Sequence, residues 1–263
     1  MMRSLFSGVS GLRTHQLRMD VIADNIANVN TVGFKRSTVT FKDVFYQTLR
    51  GGSAGDATAG IGGTNPQQIG LGVALNSIDV MHTQGAASST GNGTDLMIQG
   101  DGFFEVKDAS DNVYYTRAGN FHFDSEGNLV TPDGLIVQDS SGNGINIGTN
   151  ATSYSIDKYG NVYVNGTKDS QIRLVKFPNP SGLDKIGSNL YAAADGAGSA
   201  IQGVAGDTNF PNTTIIPSAL EMSNVDLAQE FTDMIITERG FQANARTITV
   251  SDQMLQELVN LKR

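Results

Sequence analysis

The stretch Leu227-Ala-Gln-Glu-Phe231-Thr-Asp-Met234-Ile-Ile-Thr-Glu-Arg-Gly-Phe241-Gln-Ala-Asn-Ala-Arg-Thr-Ile248-Thr-Val-Ser-Asp-Gln-Met-Leu255-Gln-Glu-Leu-Val259 decides how this chain is built. Leu227, Phe231, Met234, Phe241, Ile248, Leu255 and Val259 occupy d and a positions of one heptad frame, and the skipped a positions hold Glu238, Ala245 and Asp252. Spacing of three and four residues, sustained over that length, predicts a helix whose seam needs other helices. Asn224 stands where an N-cap is expected, and Asp226 adds early negative charge. The predicted helix, residues 224–262, is about 58 Å long at 1.5 Å per residue. It is poorly made for standing alone. Gly240 costs roughly 1 kcal/mol relative to Ala, and Thr247-Ile248-Thr249-Val250 is a β-branched run.

The N-terminus carries an answering stripe. Leu5, Val9, Leu12, Met19, Ala23 and Ile26 keep the same frame, with Gln16 at a skipped position. Gly8 and Gly11 weaken this helix as well. Residues 1–50 contain seven Lys/Arg and three Asp/Glu, whereas residues 221–263 contain four Lys/Arg and seven Asp/Glu. A single such stripe ordinarily packs on its own domain. Two marginal helices of opposite charge at opposite ends predict pairing instead, within one molecule or between copies.

The 263 residues carry a net charge of −8, so a nucleic-acid backbone is not the expected partner. The absence of cysteine excludes disulfides, thiolate metal sites and cysteine nucleophiles. No apolar run approaches the ~18 residues of a membrane span, so no membrane insertion is expected. The opening Met-Met-Arg-Ser-Leu-Phe-Ser-Gly lacks the apolar core of a cleaved signal peptide, which predicts export, if any, by another route.

Between the helices, 31 glycines and many Asn, Ser and Thr indicate a turn-rich, antiparallel β middle. Candidate strands are 96–99, 103–106, 113–116, 121–123, 129–131, 135–138, 154–156, 161–164 and 171–177. Asp124-Ser-Glu-Gly-Asn128 and Asp157-Lys-Tyr-Gly-Asn161 echo each other as hairpin turns; neither supplies the ligand set of a calcium loop. Residues 37–49 read as an extended arm or a short helix, and 51–63 as a flexible Gly/Ala/Ser/Thr stretch. The expected division is 1–27 (N-terminal helix), 28–80 (extended connecting arm), 81–218 (β-rich middle domain) and 219–263 (C-terminal helix). The fold class is mixed: a coiled-coil-like inner domain from the two terminal helices, with an all-β antiparallel centre.

Chemistry is hard to find in these residues. His15, His82 and His122 have no paired metal-ligand spacing, and no GxSxG, HExxH or phosphate-loop pattern occurs. No catalytic, cofactor-binding or metal residue is assigned. An enzyme acting on glycan would need a carboxylate pair, with Asp124 and Glu126 the residues to test. A soluble β binding module would keep its ligand without the helices.

Three groups of motifs point elsewhere. The first comprises Ser4-Leu-x-Ser-Gly-x-Ser-Gly-Leu12, Asp20-Val-Ile-Ala-x-Asn-Ile-Ala-Asn28 and Asn30-Thr-x-Gly-Phe-Lys35. The second comprises Asp95-Leu-x-Ile-x-Gly-Asp-Gly-Phe-Phe104, Tyr115-Thr-Arg-Ala-Gly-x-Phe121 and Gly182-Leu-x-x-Ile-Gly-Ser-Asn-Leu-Tyr191. The third is Leu220-Glu-Met-Ser-Asn-Val-Asp-Leu227 with the ending Gln253-Met-Leu-Gln-Glu-Leu-Val-Asn-Leu-Lys-Arg263. Together, and in this order, they resemble the bacterial flagellar rod and hook proteins. Within that family Arg239-Gly-Phe-Gln-Ala-Asn-Ala-Arg246 and the ending Leu258-Val-Asn-Leu-Lys-Arg263 are similar to the hook member, in a compact form without its outer β domain; the distal rod member is the alternative.

The resemblance implies a structural subunit of a tubular polymer, without cofactor or enzyme activity. It would be exported through the flagellar secretion apparatus to the flagellum (hook or basal body). Its partners would be many copies of itself, adjoining rod and hook–filament junction proteins, and the hook cap. Leu5, Val9, Leu12, Met19, Ile26, Leu227, Phe231, Met234, Phe241, Ile248, Leu255 and Val259 would pack subunits together. Asn28, Asn30, Thr31, Gly33 and Phe34 would form the arm motif.

Overall fold

The computed structural model describes residues 2–54, 62–149 and 151–261. They fall into two units: Met1–Ile26, Ser37–Asp79 and Leu227–Arg263 in one, Ala27–Arg36 and Val80–Asp226 in the other. Helices α1 (Met2–Ala27) and α2 (Leu227–Asn260) flank a chain of antiparallel strands, so the fold class is mixed, as the periodicities indicated.

In the helical unit, α2 runs for 34 residues, about 51 Å at 1.5 Å per residue. It begins three residues later than the sequence indicated. Asn224 does not cap it: its side chain accepts from the Arg36 N–H at 2.8 Å and donates to the Met81 carbonyl at 2.7 Å and the Thr83 hydroxyl at 2.8 Å. The amide thus serves the β unit, and Asp226 is left next to the first helical residue.

Residues 37–43 and 46–49 are strand, and none of 37–49 is helix. Ser37–Asp43 pairs with Val73–Val80, and Tyr46–Arg50 pairs antiparallel with Gln67–Gly70. Val39 and Phe41 are half-buried while Thr38 and Thr40 face solvent, the period of two that a strand imposes. The supposed connecting arm is therefore largely a β ribbon. Residues 55–61, the centre of the stretch expected to be flexible, lie outside the described residues.

The second unit is built on a nine-stranded sheet. Phe103–Lys107 is central, pairing with Val113–Thr116, Ile136–Val137 and Leu174–Lys176. Its alternating side chains supply two cores. Phe104 and Val106 join Leu96, Ile98, Leu129 and Ile172 in the larger one, while Phe103 packs with Tyr115, Val175, Phe177 and Tyr191 in the smaller. The expected strand 171–177 is two pieces in different sheets: Thr167–Gln171 closes a three-stranded meander, and Leu174–Lys176 joins the large sheet.

Tight turns of one kind recur among the strands of this unit. In Asp124–Asn128 the first residue's N–H donates to the fifth residue's carbonyl at 3.0 Å, and Gly127 N–H donates back to Asp124 at 3.2 Å. The same pair of bonds recurs from Asp157 to Asn161, and also at 108–112, 131–135 and 139–143, which the sequence reading had not matched. The fourth residue has positive φ each time, Gly at four sites and Asp111 at the fifth. This is a type I turn with a glycine bulge, which sets strand pairing by turn chemistry.

Both flanks of the β sequence belong to the β unit. Ala219–Glu221, which the sequence grouped with the C-terminal helix, is a strand paired with Ala87–Ser89. Residues 27–36, between α1 and the first strand, lie on the β unit as a strap. Gly33 N–H donates to the Glu221 carbonyl at 2.7 Å, and the Val32 carbonyl accepts from the Asn189 amide at 3.0 Å.

Candidate functional site

Two features stand out: the helix pair and the buried polar cluster under the strap. The helix pair is antiparallel. Ser4 meets Ser251, Gly8 meets Thr247 and Ile248, Gly11 meets Asn244, His15 meets Gly240, and Asn25 meets Glu230. The residue numbers in each pair sum to nearly the same value, so one register runs the whole length. A Cβ on Gly11 would lie 2.7 Å from the Asn244 amide nitrogen, and one on Gly240 would lie 2.7 Å from the His15 ring. The glycines that weaken each helix therefore let the two backbones approach.

Small and polar groups face across this seam. Thr14, Asn25, Glu230, Thr237 and Ser251 are buried. Asn25 is fully used: its amide donates to Glu230 at 3.2 Å and to the Ser37 carbonyl at 2.9 Å, and its oxygen accepts the Ser37 N–H at 2.9 Å. The charge asymmetry of the two ends appears as Arg18–Asp233, an ion pair at 3.0 Å. Arg18 also sits over the Phe41 ring. Burial, with help from Arg18, pushes the His15 pKa down.

The apolar residues expected to pack subunits flank this contact or face away from it. Leu5, Leu12, Met19, Ile26, Met234, Phe241, Ile248 and Leu255 are half-buried. Val9, Leu227, Phe231 and Val259 are exposed, Phe231 by 50% and Val259 by 67%. Phe6, Ile235, Ile236, Val250 and Leu258 are also exposed, and the heptad frame had not selected them. The helix pair thus meets through small and polar groups with Ile22 buried beside them, and leaves much of its apolar surface exposed.

The arm motif occupies the strap. Thr31 N–H and hydroxyl both reach back to Asn28, making the turn, and Asn30 is exposed. Gly33 has φ 69°, and a Cβ there would lie 2.6 Å from the Ala118 nitrogen. Phe34 is buried, with the Lys185 ammonium 4.7 Å from its ring centre. Next to it comes a residue the site reading had left out. Lys35 is fully buried and pairs with the equally buried Glu221 while donating to the Thr83 carbonyl at 2.7 Å. Glu221 also accepts from Gly85 N–H at 2.9 Å and from Arg117 at 3.4 Å. Burial pulls the Lys35 and Arg117 pKa values down, and Glu221 offsets part of that in each. The cluster joins three of the motifs by charge rather than by apolar contact. Its signal in sequence was the presence of Lys35, Arg117 and Glu221 inside otherwise apolar or Gly-rich motifs.

Among the described residues no group of His, Cys, Asp or Glu is placed to hold a metal, and no helix is long and apolar enough to cross a membrane.

Family models match three parts of the chain: "Flagella basal body rod protein" over residues 5–35, "Flagellar hook protein FlgE/F/G D1 domain" over 97–164, and "Flagellar basal body rod FlgEFG protein C-terminal" over 216–261. The chain is 52% identical to the flagellar basal-body rod protein FlgG of Bacillus subtilis (strain 168) over 269 residues, covering all of both chains. It belongs to the flagellar rod and hook protein family. Family members elsewhere include the rod protein FlgG of Caulobacter vibrioides, 38% identical over 99% of this chain and 100% of that one. The flagellar hook protein FlgE of Borreliella burgdorferi is 31% identical with all of both chains covered.

These likenesses back the rod alternative better than the hook reading drawn from residues 239–246 and 258–263. Within residues 239–246, Gly240 seats His15 and Asn244 seats Gly11, so that stretch contributes to the helix seam.

Proposed function

We propose that this protein is a structural subunit of the distal rod of the bacterial flagellar basal body and not an enzyme. The observation that carries the reading is end-to-end identity of 52% with a rod protein of nearly the same length. The helix pair supports the polymeric part of it. Its seam is drawn largely by small and polar groups, and Phe231, Ile235, Ile236, Val250 and Val259 keep apolar surface exposed that neighbouring copies would cover. Each such side chain buried between copies stabilises by about 1.5–3 kcal/mol. Contacts between unlike surfaces of identical subunits leave an open helical array rather than a closed ring.

In this reading the chain passes through the flagellar export apparatus with its terminal segments unfolded. The helices complete themselves on the growing end, and adjoining rod and hook subunits are the heterologous partners. The test is immunogold electron microscopy of isolated basal bodies with hooks attached, using antibody against residues 81–218. Label on the rod after the envelope layers are stripped is the expected result. Label along the curved segment outside the envelope would assign the subunit to the hook, and label on neither would overturn the axial reading.

A further inference from the structure

The β unit carries a cleft of about 200 Å³ beside the buried ion cluster. Its walls are apolar, made by Phe103, Phe177, Pro178 and Pro180. Arg117 and His82 form its polar side. The two terminal nitrogens of Arg117 are engaged, one on Glu221 at 3.4 Å and the other on the Gly100 carbonyl at 2.9 Å. Its Nε–H, however, is buried without an acceptor, and the residue is 4% exposed. Both ring nitrogens of His82 are likewise buried without a partner, the nearby Pro180 carbonyl lying outside good hydrogen-bonding geometry. An unmade buried hydrogen bond costs about 1–3 kcal/mol, and here the groups left short belong to two residues that line one cleft.

What could complete them follows from size and charge. The cleft is smaller than the ~300–1,000 Å³ of small-molecule sites, so it suits one side chain rather than a cofactor. Lys176 and Asp101 form an exposed ion pair at 2.9 Å on its rim. With Arg117 beneath them, the cleft carries more positive than negative charge in a chain whose net charge is −8 and which holds 26 Asp and Glu. The commonest complement available to it in a homopolymer is an acidic side chain of its own kind.

We propose that this cleft receives an acidic side chain from a neighbouring copy of the same chain, the carboxylate facing the Arg117 guanidinium and Lys176 and the stem lying against Phe103 and Phe177. The contact is heterologous, since the donor lies outside the cleft, and so it propagates an open array. This inference rests on the subunit reading above and adds a specific polar contact to it.

The test uses the full chain held as monomer at low concentration, with N-acetylglutamate amide as probe and N-acetylglutamine amide as neutral control. The Arg117 Nε–H and His82 ring resonances are expected to shift saturably with the carboxylate probe and not with the control. Equal shifts with both, or none, overturn the carboxylate site. In the assembly arm, Lys176→Glu places a negative charge on the exposed rim. It is expected to slow polymerisation by about tenfold at low salt, while Lys176→Arg assembles like the wild type. Normal assembly of Lys176→Glu, with probe binding intact in the wild type, overturns the second copy as occupant and leaves the subunit reading standing. A wild-type chain that forms no polymer overturns the subunit reading itself, and this occupant with it, even where the probe binds.

Discussion

Glu221 is shared by two buried cations, Lys35 and Arg117, and the sharing is unequal in its consequences. Glu221→Leu strands both cations in the interior and is expected to cost about 3–5 kcal/mol. Lys35→Met leaves Glu221 with Arg117 and Gly85 N–H, so its expected cost is smaller, about 1–3 kcal/mol. Urea unfolding of the full-length variants, compared at constant slope, separates the two; equal losses would contradict the shared acceptor. His82 makes a second residue-scale prediction. Burial first, then the charges of Lys35, Arg117 and Lys185, hold its pKa at about 4. The unfolded imidazole titrates near ~6.5, so between these values the unfolded chain binds a proton that the folded chain refuses. The stability this residue contributes is complete above about pH 6.5 and lost as pH falls through about 4, roughly 3 kcal/mol in all. His82→Leu should remove that part of the pH slope, measured as the difference between variant and wild type at pH 7 and pH 4.

At the scale of elements, the helix pair shows what periodicity reveals and where it stops. The heptad positions of Leu227 to Val259 located α2 to within a few residues at either end, because apolar recurrence follows the helical repeat whatever the helix packs against. They did not reveal which face meets α1. That face is drawn by Gly8, Gly11, Gly240, Ser251 and Thr237, small groups whose value lies in close approach and which carry no hydropathy signal. Gly11→Leu forces a side chain onto Asn244 and is expected to lower the helical unit's stability by about 1–3 kcal/mol. The loss should appear in the helical circular dichroism transition, with Gly11→Ala in between and the β transition unmoved. The strands divide the same way. Leu96–Gln99, Asn161–Val164 and the turns at Asp124 and Asp157 were legible from alternation and turn chemistry. Ala87–Ser89, Asp184–Gly187 and Ala219–Glu221 were not, since strands of three or four residues are specified by their partners. The candidate site followed this pattern, with Gly33 and Phe34 found by motif and the buried Lys35–Glu221 pair missed.

For the whole molecule, the apolar residues left outside the helix seam set the expectation for assembly. Phe241→Asp and Leu255→Asp introduce a charge beside half-buried apolar surface and are expected to abolish polymerisation while the β unit keeps its near-ultraviolet dichroism. Negative-stain microscopy and sedimentation read the first effect, and filaments of wild-type length from both variants would contradict it. The strap has a consequence in time. A chain that emerges N-terminus first presents Lys35 early and Arg117 midway, while the carboxylate they share arrives only at Glu221. Until that residue is present, closing the β unit would bury two charges without an answer. That carboxylate is the last member of the cluster in chain order, placed just ahead of α2.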